Sequence, residues 1–159
     1  IGGTINICSE SGKGTSVKIR VPISMSLTDA LIVSVGERKF AFPMSCVLQT
    51  FKTEYKHLTA FRNGKAIVRN KIIIPVRYLS DMIELSNTDR HHCPEDILSL
   101  IVIQSKGNVL GICVDQVVKR DSLLVKPLAN YLSGIREFAG AALMGDGSVV
   151  LVIDPMGIV

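Results

Sequence analysis

At 159 residues the chain is long enough for one ordinary domain or two small packed ones, and its 47% hydrophobic content is that of a folded protein. Its apolar runs are far shorter than the roughly 20 residues of a membrane span, and no charged leader precedes an apolar segment, so we expect a cytoplasmic protein. The net charge of +4 comes from basic residues scattered along the chain, and it identifies no partner by itself.

The first 22 residues predict a β-hairpin. Apolar and polar residues alternate over residues 4–8 and again over residues 15–21, which is the period of a strand. Residues 9–14 are turn formers, and Pro22 ends the second strand because it has no backbone N–H. Since residues 1–4 resemble the middle of a strand, we expect the sequence to be a piece of a longer protein. Residues 23–28 predict a short linker.

Beyond Asp29 the sequence predicts an all-β fold with a few short helices. Strands are expected at residues 31–35, 39–42, 66–69, 72–76, 98–104 and 109–118, a spacing typical of a barrel. Short helices are expected at residues 76–85 and 128–135. The polar segment 86–96 contains Pro94 and predicts an exposed loop.

A strand-turn-strand pattern occurs twice, about 70 residues apart. The first copy has an apolar run at 31–33, a turn at Gly36, a strand at 40–42 and then Val47. The second has an apolar run at 100–103, a turn at Gly107, a strand at 109–112 and then Val117. This repeat predicts two packed five-stranded barrels built on one plan. The alternative is chance recurrence of abundant Leu, Ile and Val.

The chain carries no pattern typical of a catalytic site, and we expect no catalytic residue. It has three histidines, and the sequence contains no GxSxG elbow that would present a nucleophilic serine. Asp115, Asp146 and Asp154 each occupy a turn or strand end, where an Asp is explained without catalysis.

Cysteine and histidine spacing predicts neither a disulfide framework nor a metal site. The four cysteines are far apart, and three lie in strand-like apolar stretches where a free thiol behaves as a small hydrophobe. His91, His92 and Cys93 are metal-ligand residue types, but adjacent residues on one loop rarely complete a tetrahedral site. A solvated loop is the simpler interpretation.

Two segments favour binding functions that have simpler explanations. Gly12, Lys13, Gly14 and Thr15 combine the glycines, charge and hydroxyl of a phosphate loop, but a strand follows them where a P-loop needs a helix. Residues 51–65 interleave aromatic and basic side chains as a single-strand nucleic-acid platform does. A hairpin turn and ordinary strand alternation explain both patterns, so we expect no nucleic-acid partner.

The N-terminal segment resembles the last glycine box and final strand of the histidine-kinase ATPase domain. The matching residues are Gly2-Gly3-Thr4-Ile5, Ser11-Gly12-Lys13-Gly14-Thr15 and Ile19-Arg20-Val21-Pro22.

The remainder is similar to the CheW-like regulatory domain of chemotaxis kinases of the CheA type. The segments that carry this resemblance are Asp29-Ala30-Leu31-Ile32-Val33, Phe40-Ala41-Phe42-Pro43 with Val47, residues 111–117, Lys126-Pro127-Leu128, Gly140-Ala141-Ala142 and residues 143–147. Because a kinase tail precedes them, the order favours the kinase over the stand-alone adaptor CheW, which stays an alternative. The resemblance implies a hairpin over residues 1–22, a linker over 23–28 and a CheW-like domain of two barrels over 29–159.

The resemblance also implies partners. A domain of this family binds the CheW adaptor and the cytoplasmic tips of chemoreceptors, and it holds a homodimeric kinase in receptor arrays at the membrane without inserting into the bilayer. For the partner surface we select Pro43, Val47 and Leu48, because apolar residues that end a strand-turn motif need not all face a small core. Arg69 stands where the family has a basic residue before its apolar-Pro strand, and it is the fourth partner-binding candidate.

For Gly12 to Thr15 the resemblance implies a remnant of an ATP site. The ATP and Mg²⁺ of the longer kinase would be held with residues outside this sequence, so we expect no cofactor in this chain and no catalysis by it. A nucleotide-binding module using this loop stays an alternative. With its sheet missing, residues 15–21 would expose a strand edge, and we expect the segment either to be poorly ordered or to pair with a neighbouring chain.

Overall fold

The structure, a computed structural model, describes residues 4–20, 26–62, 64–83, 93–128 and 135–158. Strands dominate these residues, and the predicted all-β class with a few short helical segments is confirmed. The elements in chain order are β1 (Thr4–Glu10), β2 (Gly14–Arg20), β3 (Ser26–Val35), β4 (Arg38–Pro43), β5 (Val47–Glu54), a 3₁₀ turn (Tyr55–His57), β6 (Thr59–Phe61), β7 (Gly64–Arg69), β8 (Ile72–Tyr78), α1 (Leu79–Met82), β9 (Ile97–Ser105), β10 (Asn108–Val114), β11 (Gln116–Pro127), β12 (Phe138–Leu143), β13 (Val149–Ile153) and α2 (Pro155–Ile158).

The predicted hairpin is present as a separate two-stranded antiparallel sheet of β1 and β2. Its register runs from Thr4 opposite Arg20 to Glu10 opposite Gly14. Gly12 and Gly14 have φ of 79° and 108°, a left-handed region that favours glycine, so the turn requires them. Residues 4–19 are all exposed.

The first unit is a closed five-stranded barrel with the order β11-β12-β13-β4-β3, which confirms one of the two predicted barrels. β13 runs parallel to β4, and the other neighbours whose register is described are antiparallel. β3 begins at Ser26, so residues 26–28 belong to the barrel and not to the predicted linker. The barrel interior is filled by small and branched side chains, namely Ala30, Ile32, Ala41, Leu123, Val125, Ala142, Met144, Val150 and Val152.

The second unit is a six-stranded sheet with the order β5-β9-β10-β8-β7-β6, so the prediction of five strands is wrong here. The reason lies in one strand path. In the barrel, β11 is unbroken over 12 residues and pairs with β3 and with β12. In the second unit the 3₁₀ turn Tyr55–His57 divides the corresponding path, so that β5 pairs with β9 and β6 pairs with β7. β5 and β6, the two outer strands of this sheet, are therefore consecutive strands in the sequence.

The internal repeat appears as an exchange of strands between the two units. The hairpin β3–β4 belongs to the barrel, yet the next strand, β5, pairs with β9 of the second unit. The hairpin β9–β10 belongs to the second unit, and the next strand, β11, pairs with β3 of the barrel. Val47 lies opposite Ile103 and Val117 lies opposite Val33, so both partners are displaced by the same 70 positions. The duplication predicted from the sequence therefore extends to the residue register.

A central core joins the two units. Alternate side chains of β3 point into the barrel or toward the second unit, and β9 behaves in the same way. Both faces of these strands are buried, which explains why residues 31–33 and 100–103 are continuous apolar runs. The buried members of the central core are Leu31, Val33, Val35, Phe40, Phe42, Cys46, Leu79, Ile101, Ile103, Leu110, Ile112, Val114, Ile153 and Ile158.

The predicted single strand over residues 109–118 is wrong, because Asp115 separates β10 from β11. The backbone N–H of Asp115 donates to the Ser34 carbonyl at 3.1 Å, and its carboxylate accepts the Gly36 N–H at 2.7 Å. These bonds hold the chain where it passes from the second unit to the barrel. In the sequence this division coincides with the adjacent polar residues Asp115 and Gln116.

The predicted helix at residues 76–85 is reduced to α1, because β8 continues to Tyr78 and buries Val76. Residues 84–92 of this helix and of the following loop lie outside the described residues, as do residues 129–134 of the second predicted helix. None of the helices in the described segments is both long and apolar enough to cross a membrane.

Gly157 provides a test of how the C-terminal helix packs. A Cβ at this position would lie 1.8 Å from the Arg136 carbonyl oxygen, so the backbones must move apart to accept any side chain. We expect Gly157→Ala to lower the free energy of unfolding by about 1–3 kcal/mol, as overpacking does, because Ile158 would be displaced from the central core. Urea unfolding measures the loss. Gly145→Ala is the matched control, since no atom lies within 4 Å of its Cβ position, and an equal loss in both variants would contradict this packing.

Asp146 provides a pH test of the turn between β12 and β13. Its pKa is held well below the usual range, first by the Ser148 hydroxyl, then by the Ser148 N–H at 2.9 Å and by the Lys39 ammonium at 3.1 Å. A lowered folded-state pKa stabilises the fold above the unfolded pKa of about 3.9, and this contribution disappears as pH falls through the folded pKa. We expect Asp146→Asn to lower Tm at pH 7 and to reduce the further fall in Tm between about pH 4 and pH 2. An equal acid-induced fall in Tm in the wild type and in Asp146→Asn would show that Asp146 makes no pH-dependent contribution to stability.

Candidate functional site

The glycine loop forms the tip of the β1–β2 hairpin. The Lys13 ammonium pairs with the Glu10 carboxylate at 2.7 Å, and the Lys13 N–H donates to the Glu10 carbonyl at 3.0 Å. Thr15 and Ser9 hydroxyls lie 2.9 Å apart. The charge and hydroxyl that a phosphate would use are thus engaged within the turn. Nucleotide binding by Gly12 to Thr15 stays a prediction for the longer protein.

One face of this hairpin is apolar and open. Ile5 lies opposite Ile19 and Ile7 lies opposite Val17, and these four side chains are between 55% and 66% exposed. The sheet has two strands, so each strand has a free edge within the described chain. The structure describes both strands of the hairpin, and the expectation that this segment is either poorly ordered or paired with a neighbouring chain stays a prediction.

The crossover surface, defined by Pro43, Val47 and Leu48, lies where the chain leaves the barrel for the second unit. The Pro43 carbonyl accepts the Cys46 N–H at 3.1 Å and the Cys46 thiol at 2.9 Å, which forms the turn into β5. Val47 is half-buried against the central core. Leu48 occupies a β-bulge and is 55% exposed. The structure therefore brings these three predicted residues together, with Leu48 the most accessible apolar side chain.

Burial makes Cys46 part of this turn's structure. Desolvation raises the pKa of its thiol to about 11, with a smaller opposing effect from the backbone hydrogen bond. The thiol is therefore neutral and poorly nucleophilic at pH 7, since the thiolate is the reactive form.

Arg69 lies at the end of β7, and its guanidinium carbon is 4.1 Å from the centre of the Phe51 ring. This cation–π contact brings it to β5, the strand that begins with Val47 and Leu48. Beside it, Val68 pairs with Ile73, and both are more than half exposed. The fourth predicted residue thus lies on an exposed, partly apolar part of the second unit.

Two further cation–π contacts occur in the same segment. Arg62 stacks on Phe61 at 5.4 Å, and Lys65 stacks on Tyr55 at 5.1 Å. The three aromatic rings of residues 51–65 are only half-buried. Phe51 and Tyr55 pack against the core of the second unit and Lys52 is exposed, as the strand-alternation interpretation predicted, and three basic side chains also stack on the aromatic rings.

The barrel carries an apolar surface that the sequence did not reveal. Leu27 pairs with Leu124, Leu143 pairs with Val149, and the register of β11 with β12 places Leu124 next to Leu143. These side chains are 74%, 52%, 67% and 66% exposed for Leu27, Leu124, Leu143 and Val149. We call them the barrel row. The row crosses four strands, about 15 Å at the usual strand spacing.

The sequence did not predict the barrel row, because its residues lie in strands whose side chains alternate between the interior and the surface in the ordinary way. Leu123 and Val125 fill the barrel interior, so Leu124 between them must point outward. Three consecutive apolar residues at 123–125 were the available signal, because a strand with one solvated face needs only every second one to be apolar.

The metal-ligand residue types of the described segments lie apart from one another, and several of them serve turns. In the described segments no three His, Cys, Asp or Glu side chains come together in a way that could hold a metal ion. Cys93 is exposed, and its N–H donates to the Asp96 carboxylate at 2.8 Å, as in a turn. His91 and His92 lie outside the described residues. The three aspartates discussed above serve turns: Asp115 and Asp146 as described, and Asp154 by accepting the Met156 N–H at 2.8 Å.

Comparison with known proteins agrees with this architecture. The family model of the CheW-like domain matches residues 29–159. The scaffolding protein TtCheW from Thermoanaerobacter tengcongensis has a similar structure, with a TM-score of 0.67 at 16% identity over 81% of this chain and 90% of that one. At that identity the likeness concerns the fold alone.

Curated relatives include the "Chemotaxis protein CheA" of Bacillus subtilis, 27% identical over 154 residues, and the "Sensor histidine kinase CheAY" of Helicobacter pylori, 30% identical over 161 residues. Each match covers 97% of this chain but only 22% and 19% of the relative. The chain therefore spans about a fifth of the length of these relatives. Because the family model covers more than four-fifths of the sequence, the chain belongs to the CheW-like domain family.

Proposed function

We propose that this chain is the regulatory and scaffolding part of a chemotaxis sensor histidine kinase, and that it couples chemoreceptors to the kinase by binding a CheW-type adaptor and receptor tips. The chain itself has no catalytic role in this proposal. The ATP-dependent phosphorylation of a histidine, with its Mg²⁺, would belong to other parts of a homodimeric kinase. The protein would work in the cytoplasm, recruited to receptor arrays at the membrane.

The observation that carries the proposal is the barrel row. Four adjacent large apolar side chains are each more than half exposed on a barrel whose interior is already filled. Burying one such side chain contributes about 1.5–3 kcal/mol, so a partner that covers all four gains a large favourable free energy. A contiguous apolar row is typical of a protein-binding surface.

The extent of the match supports a kinase over a stand-alone adaptor. The family model begins at residue 29, whereas the kinase relatives match 97% of the chain and so extend into the hairpin. The exposed apolar face of β1 and β2 is also expected of a strand pair that packs against other parts of a larger domain in the longer kinase. The nucleotide-binding alternative is less well supported, because Lys13 is already paired with Glu10.

The barrel row gives the first test of adaptor binding. We expect Leu143→Asp to weaken binding of the CheW-type adaptor from the same organism at least tenfold, about 1.4 kcal/mol, because the variant buries a charge in an apolar contact. Isothermal titration measures the affinity. Ser11→Asp is the matched control, since it adds the same charge to the exposed turn of the separate hairpin. Wild-type affinity for both Leu143→Asp and Leu27→Asp would exclude the barrel row as the adaptor surface.

The crossover surface gives a second, independent test. We expect Leu48→Asp to weaken adaptor binding as well, and to leave Tm nearly unchanged because the side chain is 55% exposed. Val47→Asp is less informative, since Val47 packs against the central core and its loss would also destabilise the fold. Loss of binding in Leu48→Asp with none in Leu143→Asp would move the adaptor contact from the barrel row to the crossover surface.

A further inference from the structure

The positive charge of the chain is concentrated in residues 47–78, which form β5 to β8 of the second unit. Residues 47–78 hold seven Lys and Arg residues and one Glu, whereas the rest of the chain holds 11 basic and 13 acidic residues. The basic residues that appear scattered along the sequence therefore give strands β5 to β8 a local excess of positive charge. An excess of this kind attracts an acidic partner.

Part of this charge lines a cleft at one end of the second unit. The cleft has a volume of about 1080 Å³ and lies between β8 and β10, beside α1 and the turn from β6 to β7. Arg62, Lys65 and Arg77 supply three positive charges, and Asp81 is the one acidic residue in the lining. The apolar part of the lining comprises Phe61, Pro75, Val76, Met82, Val109, Leu110 and Ile158.

Within the described residues, these three cations have no ion-pair partner. Ion pairs in the described part of the chain join Lys13, Lys39, Lys56 and Lys119 to acidic partners, and none of them includes Arg62, Lys65 or Arg77. Arg62 and Lys65 instead rest on the rings of Phe61 and Tyr55. These contacts orient the cations and leave their charge available to a ligand.

The shape and the stacking select one class of occupant. A nucleic acid would need free aromatic faces for its bases, but a cation covers one face of Phe51, Tyr55 and Phe61. A bilayer surface is flat and does not enter a concave cleft. Apolar side chains make up half of the lining, so the occupant needs an apolar face as well as acidic groups. A helix with one apolar and one acidic face matches this combination.

We propose that the cleft lined by β8 and β10 binds an acidic amphipathic helical segment of a partner protein, with its carboxylates on Arg62, Lys65 and Arg77 and its apolar face on the half-buried Pro75, Met82 and Val109. The inference goes beyond the proposed function, because it defines a surface separate from the barrel row and states the chemistry of the occupant. Adaptor binding through the barrel row can fail while the cleft still binds, and the reverse also holds.

The experiment uses the full 159-residue chain and a labelled synthetic helical peptide of about 18 residues, five turns, with Glu on one face and Leu on the other. Fluorescence anisotropy measures its affinity. We expect binding that weakens as salt is raised from about 0.05 to 0.3 M, since exposed charge pairs are screened. The double variant Arg62→Glu/Lys65→Glu should weaken binding at least tenfold. Arg62→Gln/Lys65→Gln should cause a smaller loss, which guards against misfolding in the charge-reversed protein.

Lys18→Glu/Lys126→Glu is the matched control, because it makes the same change in net charge at exposed sites outside the cleft. An equal loss in this control would overturn the proposal in favour of bulk electrostatics. Further probes are the same peptide with Lys in place of Glu, the peptide with Ser in place of Leu, anionic phospholipid vesicles and a single-stranded oligonucleotide. Absence of binding to the acidic peptide, or tighter binding to any of these four probes, would also overturn it.

Discussion

The two hairpins β3–β4 and β9–β10 bury both of their faces, and this double burial is the constraint on which the rest of the structure depends. One face of each hairpin fills its own unit, while the other face meets its counterpart in the central core. Ile101 and Ile103 on one side, and Val33 and Phe42 on the other, are completely shielded from solvent. Removing a large side chain from such a position costs about 2–5 kcal/mol. Separating the units would expose this entire interface.

The exchange of strands strengthens that dependence. β5 starts beside the barrel and completes the second unit, and β11 starts beside the second unit and completes the barrel. The barrel is therefore built from two separate pieces of chain, residues 26–43 and 116–153, and the second unit, residues 47–114, is inserted between them. Pairings of high sequence separation such as β5 with β9 must form before either core is complete. We infer that the two units unfold together, and that they present their outer surfaces to partners in a fixed relation.

The sequence predicted those features that depend on local pattern. Strand alternation, turn glycines and the repeat at 70 residues were enough to find the hairpins, the class of the fold and the relation between its halves. The sequence could not predict that a 3₁₀ turn at Tyr55–His57 interrupts residues 47–61 while β11 continues without interruption. Both stretches have the residue pattern of extended chain. The sequence also did not predict the division at Asp115, where the break is made by bonds to Ser34 and Gly36, far away in sequence.

The candidate sites show the same limit. Leu48 was predictable, since it follows a strand-turn motif whose core positions are already assigned. The barrel row was not, because whether Leu124 and Leu143 are neighbours depends on the register between β11 and β12, which only the closed barrel defines. The positive charge of residues 47–78 was visible in the sequence, but its location in a cleft depends on how the fold brings β8, β10, α1 and the turn from β6 to β7 together.

The repeat also explains how one plan produces two different surfaces. In the barrel, unbroken β11 keeps a regular sheet, so outward residues of four strands align and form the apolar barrel row. In the second unit, the break at Tyr55–His57 ends this alignment, and aromatic rings near the break support Lys65 and Arg62 beside the cleft. The three-residue 3₁₀ turn is therefore one structural reason why the outer surface of the second unit differs from that of the barrel. One half is suited to an apolar partner surface and the other to an acidic one, and the shared central core keeps both in place.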